Sequence, residues 1–335
     1  MKPGKRALAR VIAVLGAVVL LLTLTAATAG AGTTVPGVHA VTAPSGSKGM
    51  VYAAHTRMLS ANGTSWSEVT CPSGTLPAGG GTAAQNPRIE QVAQAGFTVS
   101  PATGKVDGYE ASVQVSGLAR GAHVRFAVQV ACVPTATALA IYPVHTLLLS
   151  ARGTSWWGVP CPAGTVPVGG GTAVQNPRIE RVAQAGFMVG ESAGKVDGYE
   201  ASVQVSGLPR GTSVQFAVQV ACVPAATTDI IYLAHTLTLS ADGTSSSGIT
   251  CPASTLPVGG GAAVQDPLAE HVAQAGFTVS AATGKLDGYE ATVQVSGLPR
   301  GASVRFAVQA ACIKAATPPV YGPPALAHSA SSISS

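Results

Sequence analysis

The side chains best suited to chemistry recur in threes. Glu90, Asp107 and Glu110 return as Glu180, Asp197 and Glu200, and again as Glu270, Asp287 and Glu290. Carboxylates at fixed offsets could hold a cation or share acid/base work. The plainer reading places Asp107-Gly108 in a turn and Glu110 on the solvent face of a strand. His55, His145 and His235 recur as well. No Gly-x-Ser-x-Gly elbow accompanies them, so they read as hydrogen-bonded strand histidines. His271 stands in the third copy only, where the others carry Gln91 and Arg181. Gly104-Lys105-Val106-Asp107-Gly108 is no phosphate loop, because no Ser or Thr follows the lysine. These patterns assign no catalytic, cofactor-binding or metal-ligating residue, and no cofactor. Trp66, Trp156 and Trp157 remain as possible ligand contacts, since exposed indoles stack on sugar rings or on a partner. The third copy has Ser246 and Ser247 there. A core position would not lose its indole so freely.

A cysteine frame carries these residues. It opens on Cys71-Pro72, runs through Gly79-Gly80-Gly81 and closes on Phe126-Ala127-Val128-Gln129-Val130-Ala131-Cys132. It returns at Cys161 to Cys222 and at Cys251 to Cys312, each time 90 residues on. Such a period marks three copies of one structural unit. Six cysteines could pair in many ways, but equal copies should fold by equal rules. The expected bonds are Cys71–Cys132, Cys161–Cys222 and Cys251–Cys312. Closing a loop of that size contributes about 4 kcal/mol through chain entropy. Zinc is a poor alternative, because each copy has two cysteines and no CxxC or paired histidines.

Residues 1–31 read as a secretory signal peptide. Lys2, Lys5, Arg6 and Arg10 precede an apolar run from Val11 to Leu24, and Ala27-Thr28-Ala29 offers a cleavage site. The uncharged stretch that starts at Val11 and continues past Leu24 is long enough to span a membrane if it is kept. The net charge of +5 misleads, because four of the 19 basic residues lie in this segment. The remainder holds 15 basic against 14 acidic side chains, which removes the electrostatic case for nucleic acid or an anionic membrane.

Composition and alternation set the fold class. Only 5% of the residues are aromatic, while Gly (40) and Pro (23) are plentiful, which suits short strands and tight turns. In Tyr109-Glu110-Ala111-Ser112-Val113-Gln114-Val115 apolar and polar residues alternate, as in a half-buried strand. Val124, Phe126, Val128, Val130 and Cys132 share one face of the next. Pro72, Pro162 and Pro252 end the strand before each opening cysteine or put it at an edge. The triple glycine points to a bulge or to backbone held close to another strand. The stretch from Asn86 to Gly96 fits a short capped helix as well as a strand.

With these motifs in place, the modules resemble the small β-rich domains of exported proteins from high-GC bacteria, most of them of unknown function. There a Cys-Pro-x-Gly…Gly-Gly-Gly opening pairs with a closing Ala-Val-Cys strand. The resemblance spans residues 50–314. Where those domains carry Gly-Trp, this chain has Gly108-Tyr109, Gly198-Tyr199 and Gly288-Tyr289. The resemblance implies a strand at Ile89 and brings no catalytic residue.

The expectation is therefore an all-β chain of three tandem, small β-sandwich-like modules at 50–134, 141–224 and 231–314, each with one internal disulfide. A flexible leader at 32–49 precedes them and a disordered tail at 315–335 follows. The expected role is non-enzymatic, secreted or wall-associated, either structural or one of multivalent binding with a cell-wall polymer or glycan as partner, and with no nucleic-acid or membrane partner beyond the signal segment. The alternative is an extracellular hydrolase acting on a polymer.

Overall fold

Each module folds into six strands that divide between two sheets. In the first module these are β1 (Val51–Leu59), β2 (Gly63–Thr70), β3 (Thr75–Ala84), β4 (Glu90–Val99), β5 (Val106–Val115) and β6 (Val124–Pro134). The second supplies β7 (Val144–Leu149), β8 (Gly153–Pro160), β9 (Thr165–Val174), β10 (Glu180–Val189), β11 (Val196–Val205) and β12 (Val214–Pro224). The third supplies β13 (Ile230–Leu239), β14 (Gly243–Thr250), β15 (Thr255–Val264), β16 (Glu270–Val279), β17 (Leu286–Val295) and β18 (Val304–Lys314). A two-residue strand, β19 (Val320–Tyr321), lies parallel to β1. This computed structural model describes residues 49–135, 140–150, 152–190, 195–227, 229–266, 270–280, 285–314 and 320–321. The signal segment, almost all of the leader and most of the expected tail lie outside them.

The chain is all-β, with one disulfide inside each module. Cys71–Cys132, Cys161–Cys222 and Cys251–Cys312 each close a separation of 61 residues, with Cα atoms 5.7–5.8 Å apart. Cys71 follows the end of β2, and its amide donates to the carbonyl of Asp107 on β5. Cys132 lies on β6. The bond therefore ties the β2-β5-β4 half of the module to its β1-β6-β3 half.

The two halves do not belong to one sheet. The sheet orders are β2-β5-β4-β9-β12-β7, β8-β11-β10-β15-β18-β13 and β14-β17-β16-β3-β6-β1-β19. Every sheet joins half of one module to half of another: first to second, second to third, and third back to first. The modules thus close a cycle around a pseudo-threefold axis. β3, β9 and β15 touch one another around it, and so do β4, β10 and β16. The buried apolar residues form a single cluster with members from all three modules, headed by Phe126, Phe216 and Phe306.

The triple glycines make this approach possible. A Cβ on Gly79 would collide with the backbone of Val258 and Gly259, one on Gly169 with that of Ala78 and Gly79, and one on Gly259 with that of Val168 and Gly169. Gly80, Gly170 and Gly260 lie against the rings of Tyr109, Tyr199 and Tyr289. Gly81, Gly171 and Gly261 face the backbone of the neighbouring module's strand. A register shift between Pro77 and Gly79 adds the expected bulge. Both readings of the motif therefore hold: a bulge and a close backbone approach.

Three sequence expectations need local correction. The stretch after Asn86 is a turn through Ile89, and the strand starts only at Glu90. The hairpin turn lies at Gly104 (φ 66°), where the Gly104 amide donates to the Ser100 carbonyl, so Asp107-Gly108 already belong to β5. Glu110 does not stand on a solvent face but is half-buried and bonded by Gln94, and Glu90, Glu180 and Glu270 are completely buried.

Candidate functional site

Among the described residues one ladder pair joins the two module halves within each sheet: Ala95–Thr172, Ala185–Ala262 and Ala275–Thr82. Side chains complete the seams. The Phe97 amide donates to Gln219 Oε1 at 2.8 Å, and Gln219 Nε2 donates back to the Phe97 carbonyl at 3.3 Å. Gln309 treats Phe187 in the same way, and Gln129 treats Phe277. Each glutamine amide acts as one more peptide group in the ladder. From the other side, Gln94 accepts from the Val174 amide and Gln274 from the Ala84 amide. Their Nε2 atoms donate to Glu110 and Glu290, and Gln184 donates likewise to Glu200.

Tyrosines fasten the same seams. Tyr109, Tyr199 and Tyr289 donate to the carbonyls of Gly170, Gly260 and Gly80, each at 3.1 Å and each in a neighbouring module. Tyr142 and Tyr232 donate to Pro77 and Pro167 at 2.7 and 2.6 Å, and Tyr52 reaches Pro257. A cavity of about 20 Å³ remains on the axis, lined by these inner tyrosines, Val92, Val182, Val272, Thr82 and Thr172.

The carboxylates are electrostatically unusual but do not converge. Burial pushes Glu90 and Glu180 up to about 7 and raises Glu270. One oxygen of each accepts from the amide of Asn86, Asn176 or Asp266, while the other has no partner. Glu110 is pushed up to about 7, first by burial and then by Glu68, which stands directly opposite on β2. Glycines face Glu200 and Glu290 at the same place, Gly158 and Gly248. Glu110, Glu200 and Glu290 sit on three separate sheets. Among the described residues no three metal-ligating side chains cluster together.

The indoles lie on the outermost strands. Trp66 on β2 is 54% exposed, Trp156 on β8 53% and Trp157 39%. Trp66 and Trp156 occupy equivalent positions opposite Ser112 and Ser202, on different sheets. Trp156 also bonds the Glu200 carboxylate. Trp157 is the next residue, so it points to the other face of β8. It stacks on His145 at 4.5 Å and 14°. In the flanking modules the histidine meets a serine instead: His55 Nδ1 lies 2.9 Å from Ser67 Oγ, and His235 Nδ1 2.9 Å from Ser247 Oγ. The recurring histidines are thus β1–β2 bridges and their equivalents. The three indoles do not make one platform. Ile141, Val144 and Leu148 of the second module are exposed as well.

Sequence reasoning missed the seam glutamines and the buried glutamates. Their signal was present: polar residues retained at a fixed offset in all three copies, on strands otherwise built of small apolar residues.

The disulfides place the folded chain in an oxidising compartment. Among the described residues no helix is long and apolar enough to cross a membrane. Compared with family models and with curated proteins, the chain matches none.

Proposed function

We propose that this is a non-enzymatic extracellular protein that binds a cell-wall polymer or glycan through Trp66, Trp156 and Trp157. The observation that carries this reading is the exposure of three indoles on strands that flank solvent. Burying an indole against a sugar face removes a large apolar area from water and leaves the ring N–H free to bond. The closed cycle changes what repetition does. The copies do not hang as independent beads of equal affinity; they build one rigid body that holds two indole-bearing edges at a fixed spacing. Simultaneous contact of both edges with a long polymer raises avidity without new chemistry.

The hydrolase alternative needs unlike groups around one substrate position. Glu110, Glu200 and Glu290 instead repeat one arrangement, each held by its own glutamine. The experiment is a pull-down with insoluble cell-wall polysaccharide. Trp66→Ser, Trp156→Ser and Trp157→Ser together reproduce the third module's residues, so the fold is kept. The reading predicts that polymer binding falls at least tenfold. Unchanged binding, or polymer cleavage that disappears in Glu110→Gln, would replace it.

A further inference from the structure

The turn before β2 meets the loop after β5 at the same point in each module, but the residue that makes the contact differs. It is Asn62 in the first module, Arg152 in the second and Asp242 in the third, each followed by glycine. The Leu118 amide donates to Asn62 Oδ1 at 2.7 Å. Arg152 Nε instead donates to the Leu208 carbonyl at 3.3 Å. In the third module two successive amides converge on one carboxylate: Leu298 donates to Asp242 Oδ1 at 2.8 Å and Gly297 to Oδ2 at 3.1 Å. Gly117 and Gly297 hold the same left-handed backbone, with φ of 79° and 76°. The loop of the first module thus has the shape that cradles a carboxylate in the third. An asparagine fills it less well, because its second terminal atom is a donor and accepts nothing from an amide.

Asn62 is also the one asparagine of the chain whose neighbour lets it react with itself. The chain has three asparagines, and Asn86 and Asn176 precede Pro87 and Pro177. Proline has no N–H to give up. Asn62 precedes Gly63, is exposed, and a Cβ on Gly63 would meet only open space. Attack on the Asn62 side-chain carbonyl builds negative charge on Oδ1. The Leu118 N–H already points at that oxygen, as an oxyanion-hole donor does.

We propose that Asn62 is a site of self-catalysed modification: it deamidates to aspartate in the folded chain, and the Gly117-Leu118 loop holds the product as the third module holds Asp242. The Gly63 nitrogen bonds to Asn62 Cγ. The side-chain nitrogen leaves as ammonia with the proton that Gly63 gives up, and a cyclic imide remains. Water then adds at Cγ and breaks the new C–N bond, which restores the backbone and leaves a carboxylate. One water is consumed, one ammonia is released, and nothing is oxidised or reduced. Opening at the main-chain carbonyl would give isoaspartate, with an extra backbone atom where Gly63 pairs with Val115. The ladder and the two loop amides therefore favour aspartate.

The test incubates the full disulfide-bonded chain at mildly alkaline pH and body temperature. Peptide mapping by mass spectrometry follows the peptides of Asn62, Asn86 and Asn176, and an isoaspartate-specific methylation assay separates the two products. Asn62 should convert at least about tenfold faster than the two asparagines that precede proline, with aspartate the main product. Asn62→Asp, made directly, should unfold at a higher temperature than the parent at neutral pH, because its carboxylate takes the second amide. No conversion in the folded chain, isoaspartate as its main product, or an equal or lower midpoint for Asn62→Asp would overturn the proposal.

Discussion

Gln219 is bonded at both ends of its amide to the backbone of Phe97, 122 residues earlier and in a different module. The two copies of this bond, Gln309 to Phe187 and Gln129 to Phe277, complete a cycle. Removing one of these amides leaves a backbone N–H and C=O unpaired at a half-buried seam. Gln219→Ala should therefore cost about 1–3 kcal/mol in denaturant unfolding, and Gln129→Ala and Gln309→Ala similar amounts. The fall should appear in the midpoint of the whole protein.

The glycine motif makes a sharper prediction. Gly170→Ala would drive a methyl into the Tyr199 ring, and the carbonyl of Gln219 blocks retreat. The site is closed by backbone, so overpacking should cost upwards of about 3 kcal/mol. Gly164→Ala meets open space but holds φ 80°, so its cost should be the smaller conformational one, about 1 kcal/mol. Thermal unfolding of the two variants side by side reads the difference.

Much of this architecture was legible in the residues. The period of 90 gave the three modules and the disulfide pairing, and Gly79-Gly80-Gly81 announced close backbone approach. What the residues could not specify is which copy each edge pairs with. β4 meets β9, not β3, but β3 and β9 are nearly the same sequence, so pairing within and between modules carries one signature. Gln94 and Gln129 alternate like solvent-facing strand residues, and only the neighbouring module buries them. Nothing local marks Glu90 for burial, because its burial depends on packing that the local pattern does not encode.

Those glutamates set the pH dependence. Burial raises Glu90 and Glu180 to about 7 in the folded state, above the ordinary carboxylate value near 4.5. The folded chain then binds more protons than the unfolded one in this interval, so stability is greatest below pH 4.5 and declines as pH rises through about 7. Glu90→Gln and Glu180→Gln, which keep an acceptor for the Asn86 and Asn176 amides, should flatten the decline. Thermal midpoints measured from pH 5 to 8 would show it; a rise across that range in the parent protein would contradict the assignment.

Loss of one disulfide should be felt everywhere. Replacing Cys71 and Cys132 together by Ala should cost about 2–5 kcal/mol. Because the core is shared, calorimetry should still show one transition, moved to lower temperature. Separate melting of one module would mean that the cores are independent.

The central claim is that the third module closes back onto the first. The Phe277 amide donates to Gln129 Oε1 at 2.9 Å across 148 residues of sequence. The direct measurement is a nuclear Overhauser contact between the Phe277 amide and the Gln129 side-chain amide in the native chain. A closed cycle predicts a clear cross-peak with slow exchange of the Phe277 amide. No cross-peak, with that amide exchanging as freely as a bare sheet edge, would show three separate modules in a row.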